Sequence, residues 1–203
     1  MIAIIDYDIG NLGAVANMLR RIGHASTITA DPETISKADR IILPGNGHFD
    51  TCMRNIRASG LVPLLEDLVK AGKPLLGICV GAQMLGSGSE EGIEPGLGWL
   101  DLKVKRFPEM EGLRVPHMGW TEVSRPQPEN LLVQGLEDDA RFYFVHSYYL
   151  APADKSTILL SAHYGIDFAA GVSVGNIAGV QFHPEKSHRF GKVLLGNFAG
   201  GKL

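Results

Sequence analysis

The segment Pro74-Leu75-Leu76-Gly77-Ile78-Cys79-Val80-Gly81-Ala82-Gln83 decides how the rest of the chain reads. Residues 74–79 are short and apolar throughout, which suits a strand buried on both faces. Small residues follow and the spacing turns helical, so the chain passes sharply from strand to helix at Cys79. A strand of this kind needs parallel neighbours and covering helices, and the sequence upstream supplies both. Residues 2–6 (IAIID) form a β-branched apolar run. Leu12, Val15, Ala16, Leu19 and Ile22 then recur at three and four until Gly23 closes the helix at its C′ position. Residues 25–29 and 40–43 read as strands, the second ending at Pro44-Gly45, and residues 61–71 as an amphipathic helix stopped by Gly72.

From residue 99 the pattern changes. Segments 99–107, 113–123, 141–150, 156–163 and 170–183 are strand-like, with turn residues between them and little helical periodicity. They read as antiparallel additions to the sheet. Residues 187–198 return to helical spacing, with Phe190, Val193, Leu194 and Phe198 on one face. No repeat or linker interrupts the chain. The expected architecture is one α/β domain over residues 1–203: a mostly parallel central sheet, helices on both faces, and antiparallel additions in the C-terminal half.

Composition narrows the class of function. A domain of 203 residues buries about 70% of the surface its unfolded chain exposes, enough for a core without staples. The net charge is −3 and no Lys/Arg run exceeds two, which argues against nucleic acid and anionic membranes as partners. Cys52 and Cys79 cannot make a disulfide framework and fit a reducing compartment. The first residues lack the basic segment of a signal peptide, and no apolar run approaches the ~18 residues that span a bilayer. A cytoplasmic location is expected. Glycine is the outlier, at 25 of 203 residues against a usual ~7%, and the excess lies in tight turns such as Gly45-Asn46-Gly47. Such turns bring backbone close to a ligand, which suits an enzyme.

The strand-to-helix turn at Cys79 is the cysteine form of a nucleophile elbow. Small residues two before and two after the thiol (Gly77, Gly81) permit the bend, and the helix N-terminus favours thiolate. A buried structural cysteine is the commoner fate of a free thiol, and Cys52, which has no such frame, reads as filler. His183 supplies the base that a cysteine nucleophile needs. It follows Val180-Gln181-Phe182 and precedes Pro184-Glu185; in an extended segment residues two apart share a face, so Glu185 can orient the imidazole. Alone, a strand-end histidine beside a solvated glutamate is unremarkable. With Cys79 present, nucleophile, base and orienter are all available.

These two motifs, about a hundred residues apart and in this order, resemble the signatures of class I (triad-type) glutamine amidotransferases. Asp6-Tyr7-Asp8-Ile9-Gly10-Asn11-Leu12, Pro44-Gly45-Asn46-Gly47-His48-Phe49, Pro116-His117-Met118-Gly119-Trp120 and Phe144-Val145-His146-Ser147-Tyr148-Tyr149 resemble one branch of that family. Its members are the glutaminase subunits of imidazole glycerol phosphate synthases in histidine biosynthesis. The resemblance implies a flavodoxin-like fold and no cofactor or metal. It also implies L-glutamine as substrate and a (β/α)₈-barrel cyclase as the partner that consumes the ammonia. It gives Cys79 the role of nucleophile, His183 that of base and then acid, and Glu185 that of orienter. Gln83 and the His146-Ser147-Tyr148 stretch would bind glutamine, while the Gly45-Asn46-Gly47 turn and the Val80 N–H would hold the oxyanion. The partner face would include Asn11, Trp120 and Lys186.

Each has a plainer reading: Gln83 an ordinary helix residue, 146–148 a half-buried aromatic strand, Asn11 a cap, Trp120 core packing, Lys186 a solvated charge. Three positions depart from the family pattern. Asn46 stands where an apolar residue is usual, Thr121 where Asn is common, and Val80-Gly81-Ala82 carries smaller side chains than usual. Asparagine enters φ > 0 more readily than valine, so rotation of the oxyanion turn is expected to be cheap at Asn46. The rival readings are a glutaminase serving anthranilate, purine or pyridoxal phosphate synthesis, a catalytically degenerate binding protein of the same fold, and a cysteine peptidase or related thiol hydrolase.

Overall fold

The structure, a computed structural model, describes residues 1–201 and 203. The first half alternates β1 (Ile2–Ile5), α1 (Leu12–Arg21), β2 (Ser26–Thr29), α2 (Pro32–Lys37), β3 (Arg40–Gly45), α3 (Phe49–Ala58), α4 (Val62–Lys70), β4 (Leu75–Cys79) and α5 (Val80–Met84). Then come β5 (Leu102–Arg106), β6 (His117–Ser124), β7 (Arg141–His146), β8 (Tyr148–Pro152), β9 (Ile158–Tyr164), β10 (Ile166–Val174), β11 (Ile177–Val180) and α6 (His188–Ala199). The sheet runs β2-β1-β3-β4-β11-β10-β9-β6-β7, with β8 joined to β10 and β5 to β8.

Strands β1 to β4 pair in parallel, as their apolar runs require; every residue of β1 and β4 is buried. Helix α1 ends as its sequence announces. Gly23, at φ 83°, donates its N–H to Arg20 O, and His24 donates to Leu19 O, the paired bonds of a glycine-closed C-terminus. Two helices escaped the sequence reading although both carry start signals. Asp31 accepts from Thr34 N at 2.8 Å ahead of Pro32, and α3 places Phe49, Cys52, Met53 and Ile56 on one buried face.

The stretch expected as one antiparallel strand over 170–183 is two strands of different kind. The chain reverses at Gly175 (φ 57°), and β11 enters beside β4 in parallel register, Leu75 opposite Ile177 and Ile78 opposite Val180. Only its contact with β10 is antiparallel. The reason is burial: a slot in the middle of the sheet accepts a strand apolar on both faces, and Ile177, Ala178, Gly179 and Val180 are all buried. The remaining additions, β5 to β10, are antiparallel as expected, although residues 141–150 divide at Ser147 and the 113–123 segment pairs only from His117.

Where β3, β4 and α5 meet, backbone lies on backbone. A Cβ on Gly81 would fall 2.0 Å from Leu43 O, one on Gly45 2.1 Å from Gly81 N, and one on Gly77 2.8 Å from Ala82 N. Gly13 of α1, by contrast, has nothing within 4 Å. Gly81→Ala should therefore destabilise the fold by ~2 kcal/mol or more, since rigid backbone must shift to admit the methyl group. Gly13→Ala should stabilise it by roughly 0.5–1 kcal/mol through helix propensity alone. Urea unfolding of both variants checks the opposite signs.

Candidate active site

The strained residue at the end of β4 is Cys79, with φ 55° and ψ −116°, a conformation that a residue with a side chain adopts only under constraint. The constraint is the glycine contact just described, which presses α5 onto β3 and leaves the thiol at the carboxyl edge of the sheet. The adjacent turn is held from beneath. Tyr7 donates its hydroxyl to Pro44 O, and Cys52 donates its thiol to Asn46 O at 3.3 Å. Burial pushes both the Tyr7 hydroxyl and the Cys52 thiol above their usual pKa values, so both remain protonated donors. Cys52, read as filler from the sequence, is thus fully buried and bonded to the turn beside Cys79. The positive φ of this turn falls on Gly47 (88°), not on Asn46, so the expected conformational advantage of asparagine is not used here.

His183 leaves the end of β11 and is fixed at both backbone groups. Its N–H donates to Tyr143 O at 2.9 Å, and its carbonyl accepts from Ser187 Oγ at 2.6 Å. Its Nδ1 lies 2.8 Å from Glu185 Oε1. The expected pairing is present, but by another route. Residues 184–186 form a 3₁₀ turn and not an extended segment, because Pro184 has no N–H to give a ladder and suits the first position of a helical turn. With Nδ1 engaged, Nε2 is the ring nitrogen available to Cys79, which lines the same cavity. Burial disfavours the imidazolium, but the bonds and charges of Cys79 and Glu185 outweigh it and hold the His183 pKa at about 10.

The thiol opens into a cavity of about 280 Å³, a size suited to a molecule no larger than an amino acid. Asn46, Gly47, Val80, Gln83, His146, Ser147, Tyr148 and His183 line it with Cys79, so the predicted nucleophile, base and binding residues converge there, apart from Gly45, which packs behind the elbow. Glu91 also lines it and was not anticipated; its Oε2 accepts from Phe49 N at 2.8 Å. So was the role of Gln181, fully buried, whose Nε2 lies 3.9 Å from Cys79 Sγ and whose Oε1 accepts from Gln83 Nε2 at 3.0 Å. A polar residue two before His183 on an apolar strand was its only signal. A larger open groove of about 790 Å³ runs between α1 and β2, but Gly13, Ala14, Ala16 and Ala25 make half of its lining residues, and neither cysteine is among them.

Two further histidines sit beside the cavity in the opposite electrostatic state. Burial pushes His117 down to about 4 and His146 to about 3, so both stay neutral near pH 7. Of the predicted partner-face residues, Trp120 is 44% exposed, stacks on His188 at 5.3 Å and edges Tyr143, over whose ring Lys186 Nζ sits at 5.8 Å. Asn11, exposed and at φ 71°, reaches the same end of the molecule through a small cavity shared with Glu185 and Asn46. Among the described residues no cluster of metal-binding side chains occurs, and no helix is long and apolar enough to cross a membrane.

A thiol on a sharp strand-to-helix turn shares the carboxyl edge of this sheet with a histidine and a buried carboxylate, and the chain belongs to the class-I glutamine amidotransferase family, matching it over residues 3–199. Within that family it is similar to the imidazole glycerol phosphate synthase subunit HisH 2 of Pseudomonas aeruginosa, at 50% identity over 199 residues and 98% of each chain. The subunit of the same name from Methanococcus maripaludis is 48% identical over 98% of each chain. A solved structure of PurLQS from Thermotoga maritima superposes with a TM-score of 0.76 over 98% of this chain and 97% of that one, at 18% identity, a likeness of fold alone.

The two kinds of histidine give opposite pH dependences. His183 keeps its proton to about pH 10 while an unfolded histidine releases it near 6.5. Its contribution is therefore complete below about pH 6.5 and lost as pH rises through 10. His117 and His146 refuse protons that the unfolded chain takes up, so stability is lost as pH falls from 6.5 toward 4 and 3. Chemical denaturation of the wild type and His183→Asn across pH 6.5–10 should show a shallower fall in the variant; equal slopes would contradict a charged His183.

Proposed function

We propose that this chain is the glutaminase subunit of an imidazole glycerol phosphate synthase, hydrolysing L-glutamine to glutamate and passing the ammonia to a (β/α)₈-barrel cyclase. The observation that carries the chemistry is the strained Cys79 sharing one cavity with an imidazole whose Nδ1 is 2.8 Å from a buried carboxylate. The names of relatives up to 50% identical over nearly the whole chain favour this synthase over the anthranilate, purine and pyridoxal phosphate alternatives. They also support membership of a multi-subunit complex. We treat residues 1–203 as one catalytic domain.

In this reading Cys79 Sγ attacks the side-chain carbonyl carbon of glutamine while its proton resides on His183. The carbonyl oxygen becomes an oxyanion facing the Val80 N–H at the start of α5 and the glycine-flanked turn at the end of β3. Collapse breaks the C–N bond; His183 gives its proton to the leaving nitrogen, ammonia departs, and a γ-glutamyl thioester remains. Water then attacks the thioester, losing a proton to His183 that returns to the Cys79 sulfur as glutamate leaves. Glu185 keeps the imidazole oriented throughout and stabilises its charged form. Gln83, Ser147 and Tyr148 hold the substrate, and Trp120, Lys186 and Asn11 face the cyclase.

Cys79→Ala should abolish glutamine-dependent product formation by the assembled synthase and leave synthesis from added ammonium salts intact, because the thiol acts only in releasing ammonia. Loss of both activities in an assembled complex would overturn this division of labour. His183→Asn should cost nearly as much as loss of Cys79, and Glu185→Gln clearly less, with the double variant far from additive. Steady-state glutamate release by the three variants, compared in the complex, checks that order.

A further inference from the structure

The two neutral histidines beside the cavity belong to one chain of hydrogen bonds whose direction can be read link by link. Tyr148 O can only accept, so His146, whose Nδ1 lies 2.7 Å from it, carries its proton on Nδ1. His146 Nε2 is then an acceptor. His117 Nδ1, 2.9 Å away, must be the donor, which leaves His117 Nε2 as an acceptor for the Thr121 hydroxyl at 2.7 Å. The same Tyr148 carbonyl accepts from Gln83 Nε2 at 3.2 Å. That second bond settles which way the Gln83 amide points. Its Nε2 is shared between Tyr148 O and Gln181 Oε1, and its Oε1 is buried with no hydrogen-bond partner among the described residues, on a side chain that lines the cavity.

We propose that Thr121, His117 and His146 are positioning residues for glutamine turnover: their one-way hydrogen-bond chain fixes the Tyr148 carbonyl, and through it the Gln83 amide, so that Gln83 Oε1 is presented as an acceptor to a substrate N–H. This rests on the glutaminase reading and adds to it residues that do not touch the reacting atoms. The surroundings are built to keep the chain rigid. His117 is sandwiched between Tyr164 (4.0 Å) and Phe144 (4.9 Å), and Phe107 presents its edge to both imidazoles. An extended strand would hold residues 117 and 121 about 13 Å apart. Their side chains meet at 2.7 Å because β6 bends between them, where Gly119 has φ 138°. Desolvation of both imidazoles keeps them neutral, as the chain requires, since an imidazolium has no lone pair with which to accept. Thr121 also follows the exposed Trp120, so the chain runs from the surface strand to the wall of the substrate cavity.

Two measurements test this in the assembled synthase, with wild-type glutamine turnover as the control on the reading beneath it. Thr121→Val removes the terminal donor at constant shape, and His117→Phe keeps the ring stack while deleting both nitrogens. Each should raise the KM for glutamine roughly five- to tenfold, about one hydrogen bond's worth of positioning, with kcat changed less than twofold. Thr121→Ser should restore the wild-type KM, and ammonium-dependent activity should be unchanged in all three. Nitrogen-15 NMR of the imidazoles in the full-length wild-type chain, which needs no variant to fold, should show both His117 and His146 as neutral Nδ1–H tautomers at pH 7. An Nε2–H tautomer or imidazolium at either residue overturns the proposal. So does wild-type KM in Thr121→Val and His117→Phe, a loss confined to kcat, or a Thr121→Ser no better than Thr121→Val. Absence of glutamine turnover in the wild-type synthase would instead refute the glutaminase reading itself.

Discussion

The contact between the backbone of β3 and the first turn of α5 is the constraint on which the site depends. Three glycines make it possible, since a methyl group on Gly45, Gly77 or Gly81 would lie within 3 Å of fixed backbone atoms. Without that approach α5 could not start directly at the end of β4, and Cys79 would have no cause to adopt φ 55°. The same contact sets the Gly45-Asn46-Gly47 turn against the elbow. Strain at the nucleophile is therefore maintained by packing several residues away from it.

Parallel pairing then does the assembling. β3, β4 and β11 are neighbours running the same way, so the turn at residues 45–47, the thiol at 79 and the imidazole at 183 emerge together at one edge. This is the general location of ligand sites in open α/β sheets, outside the carboxyl ends of the strands. The antiparallel strands add the opposite wall: β7 ends at His146, β8 begins at Tyr148, and Ser147 faces the cavity between them. Ser187 ties the two regions together, accepting from Tyr143 N on β7 while donating to the His183 carbonyl.

Three histidines within this small region reach different charge states: burial disfavours the proton on all of them, and only His183 has partners that overcome it. His183, His146 and His117 are all buried, yet only His183 has a carboxylate at a ring nitrogen and the influence of the Cys79 thiol, and only it is pushed upward. The charge on His183 further disfavours a proton on His146. A charged imidazole and a neutral pair thus coexist, the first held by Glu185 and Cys79 and the second kept neutral by burial and by the charge on His183.

Local pattern determined a good deal. The all-apolar run at 74–79 required a parallel, doubly covered sheet, and the glycines around Cys79 required a sharp turn there. The order of nucleophile and His183-Pro184-Glu185 pointed to a thiol-based triad, and all three residues lie together. These features are legible because strand burial, turn geometry and motif spacing are properties of neighbours in sequence. What the chain could not disclose locally were relations across it. β11 has the same apolar composition whether it pairs parallel or antiparallel, and only its place beside β4 decides. Glu185 reaches His183 through a 3₁₀ turn, Cys52 and Tyr7 grip a turn 6 and 37 residues away, and Thr121 meets the histidine pair only because β6 bends at Gly119. A hydroxyl, a thiol or an imidazole takes its role from whichever donor or acceptor faces it, and that partner is chosen by tertiary packing, not by sequence position.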